Sequence, residues 1–231
     1  MHTPKTILLF DIDGTILISG GAGNRALNRA FQEKFNISKA MGSITPDGKT
    51  DPAIVREVFQ TKLHREPAPG EWKKLQDTYL RYLFEEVQAS AGYRLLPGVL
   101  SLLETASQRS ELLLGLLTGN WEQGAQIKLE RSHLKRFFPF GGFGSDAEDR
   151  GEIARLAVCR GREYAGEIVP DDRIFVIGDT LHDIRCARAA GVKAIAVATG
   201  SASVEELARH QPDHVLKDLS SPEQFLALVS K

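Results

Sequence analysis

An α/β fold, a doubly wound parallel sheet that carries an inserted all-helical domain, is predicted by three features of this sequence. Short continuous apolar runs recur at Ile7 to Phe10, Leu112 to Leu117, Ile174 to Ile177 and Ala194 to Val197, the pattern of strands buried on both faces. From about residue 99 onward, stretches of helical spacing alternate with these runs, as expected of parallel strands joined by crossover helices. Between the first run and the second lies a stretch that reads as helix alone. The expected division is therefore a discontinuous core, 1–17 and 93–231, with a helical cap domain at 18–92.

Each element follows from local pattern. The first strand ends in Phe10-Asp11-Ile12-Asp13-Gly14-Thr15, after which Ser19 to Gly23 is a turn-rich hinge. Ala26, Ala30, Phe31 and Phe35 recur at helical spacing, as do Ile54, Val55, Val58 and Phe59 after Pro52. A longer helix spans about Glu71 to Ala89, with Trp72, Leu75, Tyr79, Tyr82, Leu83 and Val87 as one stripe, the insert's own core rather than a cofactor box. Ala91-Gly92 and Pro97-Gly98 bracket a second hinge. Helices follow near 99–107, 121–131, 150–161, 181–190, 204–209 and 222–229, with strands between them and a short edge strand at His214 to Leu216.

Composition narrows the function. The chain has 231 residues, 42% hydrophobic and 26% charged, with a formal net charge of −1, which suits a globular protein and gives nucleic acid no basic footprint. No run approaches the ~18 apolar residues of a membrane span. Met1 to Lys5 leads straight into the first strand without a secretory signal, so a cytoplasmic location is expected. Cys159 and Cys186 are too few for a disulfide framework or a zinc site and are expected to be buried small residues. Of the histidines, His182 alone stands beside a strand-end motif, whereas His2, His64, His133, His210 and His214 are scattered.

The strand ends carry the chemistry. On a strand, i and i+2 return to the same side, so Asp11 and Asp13 would share a pocket where open α/β sheets bind ligands. Asp-Gly also makes ordinary turns. Two adjacent carboxylates repel unless a cation or shared proton intervenes, and the segment holds no Lys or Arg, so a hard divalent cation, Mg²⁺, is the natural partner. Other strands end in Thr118-Gly119-Asn120 and in Gly178-Asp179-Thr180 with Asp183 beyond. Asn120 and Thr180 could be helix N-caps, but three such strand ends, carrying three acidic residues and a hydroxyl to one sheet edge, can converge on a ligand.

These motifs, in this order, resemble the haloacid dehalogenase superfamily, specifically its phosphatase-type members with a helical cap after the first motif, on a Rossmann-like core. The resemblance implies that Asp11 is the nucleophile and becomes an aspartyl phosphate, and that Asp13 is the general acid and base. It implies Mg²⁺ held by Asp11, the main-chain carbonyl of Asp13 and Asp179, with Asp183 orienting the metal shell. Thr118 and the Gly119 amide would bind phosphate oxygens, Asn120 would lie at the substrate, and Thr15 would position Asp13. The family's third motif has Lys; Arg150 stands at the matching helix start, with Lys135 or Lys128 as the alternative. Gly48-Lys49-Thr50 lacks the preceding glycine and strand of a P-loop, but occupies the place of a family cap loop that dips into the active site. Lys49 there suits a carboxylate or hydroxyl on a substrate. The implied activity is hydrolysis of a small phosphorylated metabolite, of the phosphoglycolate phosphatase type. A phosphomutase or a silent binding module is the alternative, and the oligomeric state, monomer or homodimer, stays open.

Overall fold

The computed structural model describes residues 4–230; His2 lies outside them. Strand β1 (Thr6–Phe10) sits centrally in a six-stranded sheet with β4 (Leu112–Leu117), β5 (Phe140–Gly142), β6 (Ile174–Gly178), β7 (Lys193–Val197) and β8 (His214–Leu216). The order is β5-β4-β1-β6-β7-β8 and every pairing is parallel. All six carboxyl ends therefore lie on one edge.

The unbroken apolar runs are explained by the two layers they separate. Leu8 and Phe10 of β1 pack with Leu102 and Leu103 of α4 (Val99–Ser107) and Phe225 of α9 (Pro222–Val229). Ile7 and Leu9 point the other way, into Ile153 and Ala157 of α6 (Arg150–Ala165) and Ile184 and Ala187 of α7 (Leu181–Ala189). Each fully buried side chain of this kind contributes about 1.5–3 kcal/mol relative to exposure. Alternation in a strand normally marks one wet face; here both faces are dry, so no polar residue interrupts the run until the strand ends.

The helices α1 (Ala22–Phe35), α2 (Asp51–Val58) and α3 (Glu71–Ala89) form a separate lobe. A π-helical turn at Phe59–Leu63 extends α2. Phe31, Phe35 and Phe59 meet at ring-centroid distances of 5.0–5.6 Å, among Val55, Val58, Leu75, Tyr79 and Leu83. The chain enters and leaves this lobe along two paired antiparallel strands, β2 (Leu17–Ser19) and β3 (Tyr93–Leu95). Trp121, from the loop after β4, packs into the lobe's core, 5.3 Å from Tyr79 between ring centroids.

Cys186 is buried, whereas Cys159 is exposed, because it lies on the outward face of α6, four residues before Glu163 whose carboxylate its thiol contacts. Among the described residues no helix is long and apolar enough to cross a membrane.

Candidate active site

The carboxyl ends of β1, β4 and β6 open beneath the helical lobe into a cavity of about 480 Å³ lined by Asp11, Asp13, Thr118, Lys128, Arg150 and Asp179, among others. Strand geometry stops at Phe10, and Gly14, at φ 82°, turns the chain. A Cβ on Gly14 would meet the Asp179 carboxylate at 2.3 Å, so only glycine lets the two strand ends close up. Asp11 and Asp13 both reach the cavity, but the turn gives them different partners.

Asp11 faces the β6 end. Its Oδ1 accepts the Ile12 amide at 2.8 Å, and its Oδ2 lies 3.6 Å from Arg150 Nη2. Oxygen atoms of Asp11, Asp179 and Asp183 come within 4.8 Å of one another. Burial raises the Asp11 carboxyl to about 7, against the pull of Arg150 and with the push of Asp183 and Asp13. Burial, then Asp183 and Asp11, raise Asp179 to about 8. One guanidinium among three buried carboxylates leaves negative charge uncompensated. A compact set of hard oxygen donors with excess negative charge fits a divalent cation, with Asp11 and Asp179 as side-chain ligands and Asp183 behind them.

Asp183 and Arg150 are fixed from below. Asp183 closes a capping box at the start of α7, its Oδ2 accepting from Thr180 N at 3.0 Å and Thr180 Oγ1 at 2.7 Å. Its other oxygen pairs with Arg150 Nη2. Arg150 is the first residue of α6, whose start Asp149 caps by accepting from Glu152 N at 2.9 Å. Asp183 and Asp11 hold the Arg150 guanidinium charged despite its burial. Lys135 is remote: its ammonium reaches Gln126 at 3.3 Å on the surface.

Asp13 faces the β4 end. Its Oδ2 accepts from Lys128 Nζ at 2.6 Å and from Asn120 Nδ2 at 2.9 Å. Asn120 Oδ1 accepts a second Lys128 bond at 2.6 Å, and Asn120 Nδ2 also donates to Thr118 Oγ1 at 2.8 Å. Asn120 is thus committed to orienting Asp13 rather than free for a substrate. Thr118 Oγ1 accepts from the Asn120 amide and side chain, which leaves its own hydrogen to donate elsewhere in the cavity it lines.

Several expected positions differ. Thr15 is fully buried and donates to Asp179 Oδ1 at 2.9 Å, so it positions Asp179 and not Asp13. Thr50 is buried and does not line the cavity, because its hydroxyl caps α2, accepting from Ala53 N at 3.3 Å. Gly48 and Lys49 do line the cavity. Gly48, at φ 70°, packs where a Cβ would lie 2.1 Å from the His182 ring. Lys49 is engaged by Glu57 at 2.5 Å rather than free.

Of two buried charges, the sequence reading named Lys128 only as an alternative to Arg150 and missed Asp51. Lys128 lies on the buried stripe of α5 (Glu122–Glu130) with Ala125 and Leu129, and Asp51 lies on that of α2 with Ile54, Val55 and Val58. A charge on an i, i+3, i+4 apolar stripe was the available signal. Asp51 N donates to Gly119 O at 2.7 Å, and its Oδ2 accepts from Trp121 N at 2.9 Å, so the lobe grips the loop after β4. Burial raises the Asp51 carboxyl to about 6, opposed by Lys128. Burial works against the Lys128 charge, but Asp13 and Asp51 outweigh it and raise its pKa. A larger open cleft of about 1050 Å³ beside β5 has no strand-end carboxylate, and its Arg160 is committed to Asp146 at 2.7 Å.

Comparison with known proteins agrees with this edge. A hydrolase-like family model, described as HAD-hydrolase-like, matches residues 160–222, from α6 through β6 and its strand-end carboxylates. A phosphoglycolate phosphatase of Synechococcus elongatus is 26% identical over 97% of each chain. Over these residues the chain is similar to the haloacid dehalogenase-like hydrolases. By the same likeness it is a phosphatase-type hydrolase. An Agrobacterium fabrum phosphoglycolate phosphatase is 24% identical over 97% of this chain and 94% of its own. Among solved structures, CbbY from Rhodobacter sphaeroides in complex with phosphate superposes with a TM-score of 0.70, at 19% identity over 94% of this chain and 96% of that one. A hydrolase from Pseudomonas syringae gives 0.72, at 22% identity over 98% and 100%. These likenesses establish the same α/β fold for this haloacid dehalogenase-like chain.

Proposed function

We propose that this hydrolase is a Mg²⁺-dependent phosphomonoesterase for a small phosphorylated metabolite, similar to phosphoglycolate phosphatase. The observation that carries the reading is the division of labour at the end of β1: Asp11 faces Arg150 and the carboxylate cluster, whereas Asp13 faces Lys128 and Asn120. Nucleophile and proton carrier need different surroundings, and two residues of spacing supply them. The relatives named phosphoglycolate phosphatase over nearly the whole chain support the substrate class, and a cavity of about 480 Å³ suits a small ligand.

Asp11 and Asp179, with the Asp13 carbonyl, would hold Mg²⁺; when bound, it offsets the repulsion between an anionic nucleophile and an anionic phosphate. Thr118 Oγ1 and the Gly119 amide bind phosphoryl oxygens, and Arg150 stabilises charge beside Asp11. An oxygen of Asp11 forms a bond to phosphorus as the bond to the leaving oxygen breaks, and Asp13 gives that oxygen its proton. Asp13 then takes a proton from water as water attacks the aspartyl phosphate, releasing inorganic phosphate and regenerating Asp11. We propose further that 18–92 is a cap that opens at β2 and β3 to admit substrate and closes to exclude water.

A panel of phosphorylated metabolites, 2-phosphoglycolate included, assayed with Mg²⁺ and without any sugar bisphosphate, tests this function. Phosphate release from at least one alkyl phosphate is expected, with a phosphoryl label trapped on Asp11 after rapid quench. Asp11→Asn should lower turnover by about 10⁴-fold or more, the scale of losing a covalent nucleophile. Absence of release with any divalent cation, or turnover of Asp11→Asn within tenfold of the parent, would overturn the assignment. Release that requires a bisphosphate activator would point to a phosphomutase.

A further inference from the structure

Lys128 is a nearly fully buried ammonium in the last turn of α5. Removing one charge from water is costly, and a buried ion pair is weak evidence of a gain in stability. Its placement is specific. One contact, 2.6 Å, goes to Asp13 Oδ2, and the other, also 2.6 Å, goes to Asn120 Oδ1. Asn120 in turn donates to the same Asp13 Oδ2 at 2.9 Å. The three side chains close a ring, tied to the phosphate-binding Thr118 through Asn120. Asp13 Oδ2 therefore accepts twice, while no hydrogen bond to Oδ1 is found among the described residues.

A carboxyl oxygen that accepts from an ammonium and an amide has no room for its own hydrogen. We propose that Lys128 is a positioning residue for the acid: with Asn120 it holds Asp13 Oδ2 as an acceptor, so that the transferable proton is carried on Oδ1. The ammonium keeps its own protons throughout; the proton that reaches the leaving oxygen comes from Asp13, and Asp13 recovers one from the attacking water. Lys128 thus does for the acid what Arg150 does for the nucleophile, from a different helix. The cap takes part, because Asp51 adds a second carboxylate to the field of Lys128 while hydrogen-bonded to the Trp121 amide at 2.9 Å.

The inference rests on Asp13 acting as the acid, and the test separates the two. A good leaving group such as p-nitrophenolate needs no proton, whereas an alkoxide does, and kcat/KM reports the steps through phosphoryl transfer. The Mg²⁺-loaded parent, Asp13→Asn, Lys128→Met and Asn120→Ala are compared on p-nitrophenyl phosphate and on the best alkyl phosphate of the panel. Asp13→Asn and Lys128→Met should each lower kcat/KM for the alkyl ester by about 10²-fold or more, the scale of general acid catalysis, and for p-nitrophenyl phosphate by less than about fivefold. Asn120→Ala, a loop substitution, should show the same split at smaller size, and it decides the matter if Lys128→Met does not fold. Equal losses on both esters in Lys128→Met, or in Asn120→Ala where it stands in, overturn the positioning role. If Asp13→Asn itself shows no split, the acid assignment fails and the role of Lys128 falls with it.

Discussion

On the core side of the cavity, Asp11, Asp179 and Asp183 are buried and Arg150 is 11% exposed, all held to one another or to helix starts. On the cap side, Lys49 is about one-third exposed and its ammonium is held, among the described residues, by Glu57 alone, itself one-third exposed. In the proposed function the two sides meet different parts of a substrate. A phosphoryl group is the same in every phosphomonoester, so the residues that meet it can be rigid. The rest of the molecule varies, and a loop with a weak surface ion pair can exchange one partner for another at little cost, since such pairs contribute about 0.2–1 kcal/mol.

The largest expected break in this contrast is on the rigid side. Arg150→Ala should lower kcat by about 10²-fold, the scale of one charged contact in the transition state, on every substrate alike. Lys135→Ala serves as the surface comparison and should leave kcat within twofold or so of the parent, as exposed substitutions usually do. Steady-state kinetics that reversed this order would move the third motif away from Arg150.

A smaller and selective effect is expected on the cap. Lys49→Ala should raise KM for a carboxylate-bearing phosphate by up to about fivefold, the range of an exposed ion pair, and leave p-nitrophenyl phosphate unchanged. Glu57→Gln, which releases Lys49, should shift the same KM downward. Parallel shifts on both substrates would return Lys49 to an ordinary loop lysine.

The smallest effect is one of stability and sharpens the metal assignment. Asp11 and Asp179 titrate near 7 and 8 in the folded protein, above the ordinary carboxylate value of about 4 in an unfolded chain. Raised values favour the protonated form, so their contribution is full below about pH 4 and is lost as pH rises through 7 and 8. Mg²⁺ requires the ionised carboxylates and stabilises by binding the folded state. The gain in Tm on adding Mg²⁺ should therefore be larger at pH 8 than at pH 5.5, by differential scanning calorimetry. A gain that is greater at pH 5.5 would count against a site built on Asp11 and Asp179.

The fold was legible because its signals are local. A strand dry on both faces reads as an unbroken apolar run, as in Ile7 to Phe10, and α3 reads from the spacing of Leu75, Tyr79, Leu83 and Val87. The acidic strand ends were legible for the same reason: parallel strands bring their carboxyl ends to one edge whatever lies between them. Thr50 and Thr15 misled because a hydroxyl beside a motif has several possible acceptors, and only packing decided for the α2 start and for Asp179.

Sequence alone determined that Asp11, Asp13 and Asp179 reach one edge and that the two carboxylates of the first motif need a positive partner. Its own segment contains none. Tertiary structure decided who neutralises which carboxylate: Arg150 beside Asp11, and Lys128, 115 residues away in sequence, on Asp13. Periodicity places a residue on a face of its own element but carries no record of what that face meets. Lys128 and Asp51 look like faults in apolar stripes until α2 and α5 are brought together over the loop after β4, where each becomes the other's counter-charge.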